Sequence, residues 1–132
     1  MDIKEVRDFF AKDRYATEAC GCEIVEGQRG HAVCAFDIDD RHRNAMGAVM
    51  GGAVFTLADF ALAVASNVDG PPSVSVSNTI EFLSSTRGSR LIATCDSDKT
   101  GRSISFYTTI VRDDLGIVVA RMSATCYQVS AR

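Results

Sequence analysis

The sequence predicts an α+β domain in which a curved antiparallel β-sheet wraps around one central apolar α-helix. Three observations carry that prediction. The run Ala45–Val68, AMGAVMGGAVFTLADFALAVASNV, contains a single charged residue, Asp59. The segments after it alternate apolar and polar residues with the period of two expected of strands. Short polar turns join those segments, which favours antiparallel neighbours. A helix apolar on nearly every side must be enclosed, and a sheet curved around it is the economical enclosure. The 132 residues read as one domain, 1–132, long enough for a hydrophobic core.

Each element follows from local pattern. Asp2 and Glu5 give a start resembling a capping box, and Ile3, Val6, Phe9 and Phe10 recur at helical spacing, so a first helix is expected to run to about Arg14. Glu23–Glu26 and His31–Ile38 flank the turn Gly27-Gln28-Arg29-Gly30 and read as a hairpin. In its second arm Ala32, Cys34, Phe36 and Ile38 alternate with more polar residues. The polar loop Asp39–Asn44 leads to the apolar run, where Gly47, Gly51 and Gly52 crowd the first third and confine the helix to Ala53–Ser66. That is too short to span a membrane. Pro71 and Pro72 end the helical region. Val74, Val76, Ile80 and Phe82 alternate with Ser75, Ser77, Thr79 and Glu81. Three further strands follow at Arg90–Asp96, Ser103–Arg112 and Ile117–Val129, with turns at Lys99–Arg102 and Asp113–Gly116. A single sheet leaves an open edge, through which self-association is expected.

Composition narrows the function. The net charge is −3 with no basic block, which argues against a nucleic-acid partner. The N-terminus MDIKEVRDFF lacks the apolar core of a secretory signal. Five cysteines (20, 22, 34, 95 and 126) without regular spacing read as reduced structural thiols in a cytoplasmic protein, and two histidines are too few to complete a typical metal site.

Asp59 is the residue that asks for a chemical reason. An ionised carboxylate enclosed in apolar surroundings is costly unless paired or hydrogen-bonded, and catalytic groups are often placed so. Just upstream, Gly51 and Gly52 leave bare backbone N–H groups at the positive end of the same helix. Each feature also has a structural reading. Asp59 equally suits a helix acid satisfied by a backbone or serine partner, the glycines a tight turn, and Asn44 a loop cap. Ser75 is also a plain polar strand residue, and Phe55, Phe60 and Phe82 are as much core as pocket. His42 reads as a solvated loop histidine. Arg87, Arg90, Lys99 and Arg102 cluster around two turns, either solvated or suited to phosphate groups.

The segment NAMGAVMGGAVFTLAD, Asn44–Asp59, resembles the signature of the PaaI-type acyl-CoA thioesterases, and SVSVSNTIEFLSS resembles their strand after the helix. The resemblance covers about residues 20–129 in element order. It implies a hotdog fold and hydrolysis of an acyl-CoA or aryl-CoA thioester, with coenzyme A entering only as part of the substrate and no metal or other cofactor. It implies Asp59 as general base or nucleophile, the Gly51 N–H as the group that polarises the carbonyl, and Asn44 as a contact to water or thioester. Ser75 falls near a serine found beside the carboxylate in some members. Gly52 and Met50 beside the loop, with the cations Arg87, Arg90, Lys99 and Arg102 suited to the phosphates of coenzyme A, are the candidate substrate-binding positions. Sites of this family form between the subunits of a homodimer, alone or in a dimer of dimers. Met50 departs from the family, which usually has histidine there. That apolar substitution favours the alternative of a hotdog protein that binds acyl-CoA without turnover. A hydroxyacyl-thioester dehydratase is the remaining alternative, and it lacks a histidine in the helix or the loop just before it.

Overall fold

A computed structural model of the chain describes residues 1–129; residues 130–132, the tail of the predicted domain, lie outside the described residues. Helix α1, Ile3–Phe10, starts where Asp2 accepts the Glu5 N–H at 2.9 Å. It stops at Phe10, short of the expected Arg14, and a π-helical turn, Tyr15–Ala19, follows. The Thr17 hydroxyl donates to the carbonyls of Ala11 (3.2 Å) and Asp13 (3.1 Å), satisfying acceptors freed at the break.

The strands are β1 (Glu23–Gln28), β2 (His31–Asp37), β3 (Ser73–Phe82), β4 (Arg90–Thr100), β5 (Ile104–Asp113) and β6 (Val118–Gln128). They form one sheet in the order β1-β2-β4-β5-β6-β3, antiparallel at every pairing. Strand β4 runs through the residues expected to turn. After a bulge between Ser97 and Lys99, Lys99 and Thr100 still pair with Phe106 and Ser105. Helix α2, Gly51–Asn67, begins two residues earlier than the glycines suggested. It lies in the concave face and packs mainly against β2 and β4. This is the hotdog arrangement.

The core between helix and sheet contains Phe36, Leu57, Val64, Leu91, Val111 and Met122, all fully buried. Gly27 lets β1 approach both helices. A Cβ there would meet Val6 Cγ1 and Val64 Cγ1 at 3.0 Å each, tighter than side chains normally pack. Helix α2 is not enclosed on every side, contrary to the sequence expectation. Phe55, Asp59, Ala63 and Asn67 recur at i, i+4 along one stripe, and that stripe stays partly or fully exposed. Among the described residues, no helix is long and apolar enough to cross a membrane.

Strand β3 departs from the simple alternation read in its sequence. A bulge between Ser75 and Ser77 adds one residue against β6, so Ser75, Asn78, Ile80 and Phe82 pair with Cys126, Ala124, Met122 and Ala120, the buried face of β6. Val74 instead pairs with Tyr127 and is 50% exposed, and Val76 is 62% exposed. The bulge thus turns the first two valines away from the core. Among the described residues the outer edge of β3 has no partner strand.

Candidate active site

The loop before α2 is built around His42. That residue is buried rather than solvated. Its ring stacks on Phe36 with centroids 4.0 Å apart and planes 5° from parallel. Nδ1 accepts the Asp39 N–H at 3.0 Å, which leaves the ring proton on Nε2 to be donated to the Cys20 carbonyl at 2.7 Å. With both nitrogens engaged, His42 holds the loop and is not a free base. Its carbonyl accepts the Met50 N–H at 2.8 Å and so fixes the start of α2.

Asn44 closes the loop onto itself. Its Oδ1 accepts the N–H groups of Met46 (2.9 Å) and Ala48 (3.1 Å), so its unpaired capacity is the Nδ2 donor. The loop-cap reading of Asn44 therefore holds for one end of its amide and leaves the other available. Met50 caps α2 with its backbone alone, its carbonyl accepting from Ala53 (3.0 Å) and Val54 (3.2 Å), while its side chain is exposed. Within the described residues the N–H groups of Gly51 and Gly52 meet no acceptor. Gly51 opens into a cleft of about 480 Å³ lined by Arg43, Phe82 and Ser84–Thr86. A Cβ at Gly51 would lie 3.2 Å from Phe82 Cζ, so the glycine keeps this N–H accessible beside the ring.

Asp59 faces outward from α2 and is exposed, where the sequence suggested burial. It makes no hydrogen bond or ion pair among the described residues, so the structural reading as a satisfied helix acid fails. Crowding by surrounding protein pushes its carboxyl above the ordinary range, and the charge of Asp13 adds to the shift. Asp59 shares with Asp13, Arg14, Tyr15, Phe55 and Phe60 a second cleft of about 490 Å³. Positions 51 and 59 are about 12 Å apart along the helix axis at 1.5 Å per residue. One chain does not bring its own Asp59 and Gly51 to a single carbonyl.

The remaining predicted positions divide. Ser75 faces the helix side of β3, and its Oγ accepts from Asn78 Nδ2 at 3.5 Å. Cys126, its cross-strand partner, has its thiol pushed up chiefly by burial and further by the Asp59 charge, against a hydrogen bond from Ser73. Ser75 does not line the cleft that holds Asp59. Arg90 is committed elsewhere: its Nη1 pairs with Glu23 (3.0 Å) and Asp37 (2.9 Å), tying three strands together. Arg87 lies at the same end of β4, whereas Lys99 lies about 30 Å further along that strand, near the Arg102 turn and the C-terminal end of α2. The four cations therefore form no single patch.

Sequence reasoning missed Asp13, Arg43 and the pair Asp113–Asp114. Asp13 and Arg43 reach their clefts through loops whose path has no local signature. Asp113 is buried, and its carboxylate accepts four backbone N–H groups, from Arg87, Gly88, Leu115 and Ile117, each at 3.0 Å. Burial alone would raise its pKa, but these four donors hold it below the ordinary range. Asp114 accepts from Ser89 N–H (2.9 Å), Ser89 Oγ (3.1 Å) and Arg90 N–H (3.3 Å). Together they clasp the segment that follows Ser84–Thr86 at the rim of the Gly51 cleft.

An antiparallel sheet wrapped around one central helix defines the class as hotdog-fold proteins. Comparison with known proteins agrees. The thioesterase superfamily model matches residues 46–120. The acyl-coenzyme A thioesterase PaaI of Escherichia coli K12 is 32% identical over 98 residues, 70% of this chain and 70% of that protein. Acyl-coenzyme A thioesterase 13 of Homo sapiens is 28% identical over 110 residues, 80% of this chain and 79% of that protein. Among solved structures, the E. coli PaaI protein of the phenylacetic acid degradation operon superposes with a TM-score of 0.85 over 98% of both chains at 24% identity, a likeness of fold. A mutant of the phenylacetic acid degradation protein PaaI from Thermus thermophilus gives a TM-score of 0.80 at 28% identity, over 86% of this chain and 97% of that one. The chain belongs to the thioesterase superfamily and is a PaaI-like enzyme of that group.

Proposed function

We propose that this protein hydrolyses an acyl-CoA or aryl-CoA thioester to the free acid and coenzyme A, at a site shared between two copies of the chain. The observation that carries the reading is the pairing of an unpartnered Asp59 with free N–H groups at Gly51 and Gly52, about 12 Å away on the same helix. Asp59 of one copy and the helix start of the other then meet at one carbonyl. The names of the thioesterase relatives support the substrate class.

In this reading the Gly51 N–H donates to the thioester oxygen and stabilises the charge that develops there. Asp59 takes a proton from water as the water oxygen bonds to the carbonyl carbon. The carbon–sulfur bond then breaks, and the coenzyme A thiolate leaves and is protonated. Direct attack by Asp59, forming an anhydride that water cleaves, uses the same groups. Asn44 Nδ2 contributes a second donor. The route draws on no metal or redox cofactor. The unpaired edge of β3 with exposed Val74 and Val76 supports self-association as a homodimer or dimer of dimers. The five buried free cysteines support a reducing, cytoplasmic setting.

The test follows free thiol release from a panel of acyl- and aryl-CoA esters. Asp59→Asn is expected to lower kcat by at least about 10²-fold with the fold retained. Equal turnover by both proteins overturns the role of Asp59, and no release from any ester by the wild type overturns the activity.

A further inference from the structure

The cleft that holds Asp59 does not end there. It shares Asp13 and Ala63 with a third cleft of about 690 Å³ that is also lined by Phe9, Phe10 and Pro72. The two make a continuous groove between α2 on one side and α1 with the Tyr15–Ala19 turn on the other. Its floor is apolar: Phe10 and Phe60 are buried and meet edge to face with centroids 6.3 Å apart. Its wall is Phe9, an aromatic left 49% exposed, packed edge-on against Phe10. Along α2 the groove follows the stripe Phe55, Asp59, Ala63, Asn67, and from Asp59 to Asn67 it extends about 12 Å. At its middle, Ala63 is the smallest side chain of that stripe and lines both clefts.

We infer that this groove holds the acyl moiety of the substrate as a linear fatty chain, running from the carbonyl at Asp59 over Ala63 to Phe9 and Phe10. The inference rests on the thioesterase reading above and adds the direction and class of the acyl group. Continuity with the carboxylate is the argument for this occupant, because a chain bound there has its carbonyl end beside the reacting group. The groove is longer than one aromatic ring fills, so a flexible chain uses surface that an aryl group leaves wet. Charge at the entrance acts on the product as well. Arg14 is taken up by Glu18 at 2.7 Å, which leaves Asp59 and Asp13 to repel the carboxylate formed by hydrolysis while tolerating the neutral thioester. Ala63 is then a specificity-determining residue: a larger side chain there divides the groove.

The test compares kcat/KM for decanoyl-, acetyl- and phenylacetyl-CoA in the wild type, Ala63→Leu and Phe9→Ala, with binding of the corresponding non-hydrolysable thioether analogues by calorimetry. The wild type is expected to prefer decanoyl-CoA over both other esters. In Ala63→Leu the decanoyl-to-acetyl ratio should fall at least tenfold, equivalent to losing contact for about two methylenes. Phe9 is half-exposed, so Phe9→Ala keeps the fold and should lower the same ratio about threefold as a wall of the groove is removed. Ratios within twofold of wild type in both variants, or a wild-type preference for phenylacetyl-CoA, overturn the inference. Hydrolysis of acetyl-CoA that depends on Asp59 but shows no chain-length effect sinks the groove and leaves the thioesterase reading intact. Should no ester be hydrolysed, the thioesterase reading fails, and the analogue affinities alone decide the groove by the same ratios.

Discussion

Asp59 and Gly51 stand two turns apart on one helix yet open into different clefts, Asp59 beside Tyr15 and Phe60, Gly51 beside Phe82 and Arg43. A site that needs both must take them from two chains, and this makes a genetic prediction. Gly51→Pro removes the N–H, and proline suits the first position of a helix; its Cβ would press on the exposed Phe82 ring, so Tm should fall only slightly as that ring shifts. Its kcat should fall about 10²–10³-fold, the usual cost of losing one oxyanion donor. Coexpressed with Asp59→Asn in equal amounts, it should restore about a quarter of wild-type activity, since half of the dimers are mixed and each mixed dimer regains one of two sites. Activity no higher than that of the two single variants means that the groups act within one chain.

The second prediction concerns pH. The charged groups facing Asp59 are Asp13 and Arg14 from the segment between the helices, and Arg14 is neutralised by Glu18. Crowding and then Asp13 raise the Asp59 carboxyl above the ordinary range. In the proposed mechanism the ionised form is the active one, so kcat/KM should rise with pH through this raised value. Asp13→Asn removes a like charge and should move that limb to lower pH. Stability carries the opposite sign. The folded state binds the Asp59 proton more tightly than the unfolded state, so folding loses stability as pH climbs from the unfolded to the folded pKa, and the loss persists above both. Asp59→Asn should therefore raise Tm at neutral pH. An unchanged acid limb in Asp13→Asn removes Asp13 from the account.

Much of this was legible in the sequence because it depends on periodicity. Ala32, Cys34, Phe36 and Ile38 were read as one face of a strand; the first three are fully buried, while Ile38 lies past the end of β2 and is half-buried. The central helix was visible from its lack of charge. What escaped depends on contacts between distant segments. The bulge at Ser75–Ser77 comes from pairing with β6, and it moves Val74 and Val76 outward against their hydropathy. His42 looked like a solvated loop residue because the ring of Phe36 and the carbonyl of Cys20 reach it only through folding. Arg90 was read with the other cations, but its partners Glu23 and Asp37 lie on β1 and β2, far away in sequence. Asp59 was expected to be buried because its neighbours in sequence are apolar. Those neighbours bury the opposite side of α2.

His42 yields a third prediction. Its ring supplies packing against Phe36 and two hydrogen bonds that no apolar residue can replace. His42→Phe preserves the stack and leaves the Cys20 carbonyl unpaired in a buried place and the Asp39 N–H in a partly buried one. At about 1–3 kcal/mol for each stranded group, the expected loss is about 2–6 kcal/mol in urea unfolding. The Met50 N–H reaches the His42 carbonyl, so kcat should fall as well through a loosened helix start. A variant as stable as wild type would show that the two hydrogen bonds contribute little.

Asp113 gives the last prediction, and it separates a carboxylate that stabilises from one that reacts. Its two oxygens receive two N–H groups each, one pair from the Arg87–Gly88 loop and one from its own turn at Leu115 and Ile117. Asp113→Asn keeps the shape but turns one acceptor into a donor facing two N–H groups, so one pair is lost whichever way the amide lies. Tm should drop by several degrees, and exchange of the Arg87 and Gly88 amide hydrogens should accelerate. Acid should act on the wild type at the same place. The folded carboxyl titrates below its unfolded value, so its stabilisation is complete above the unfolded pKa and disappears as pH falls through the folded one. The variant lacks that component, and the gap in Tm between the two proteins should narrow as pH falls through this window. If the gap stays constant with pH, the four N–H contacts are not what Asp113 contributes.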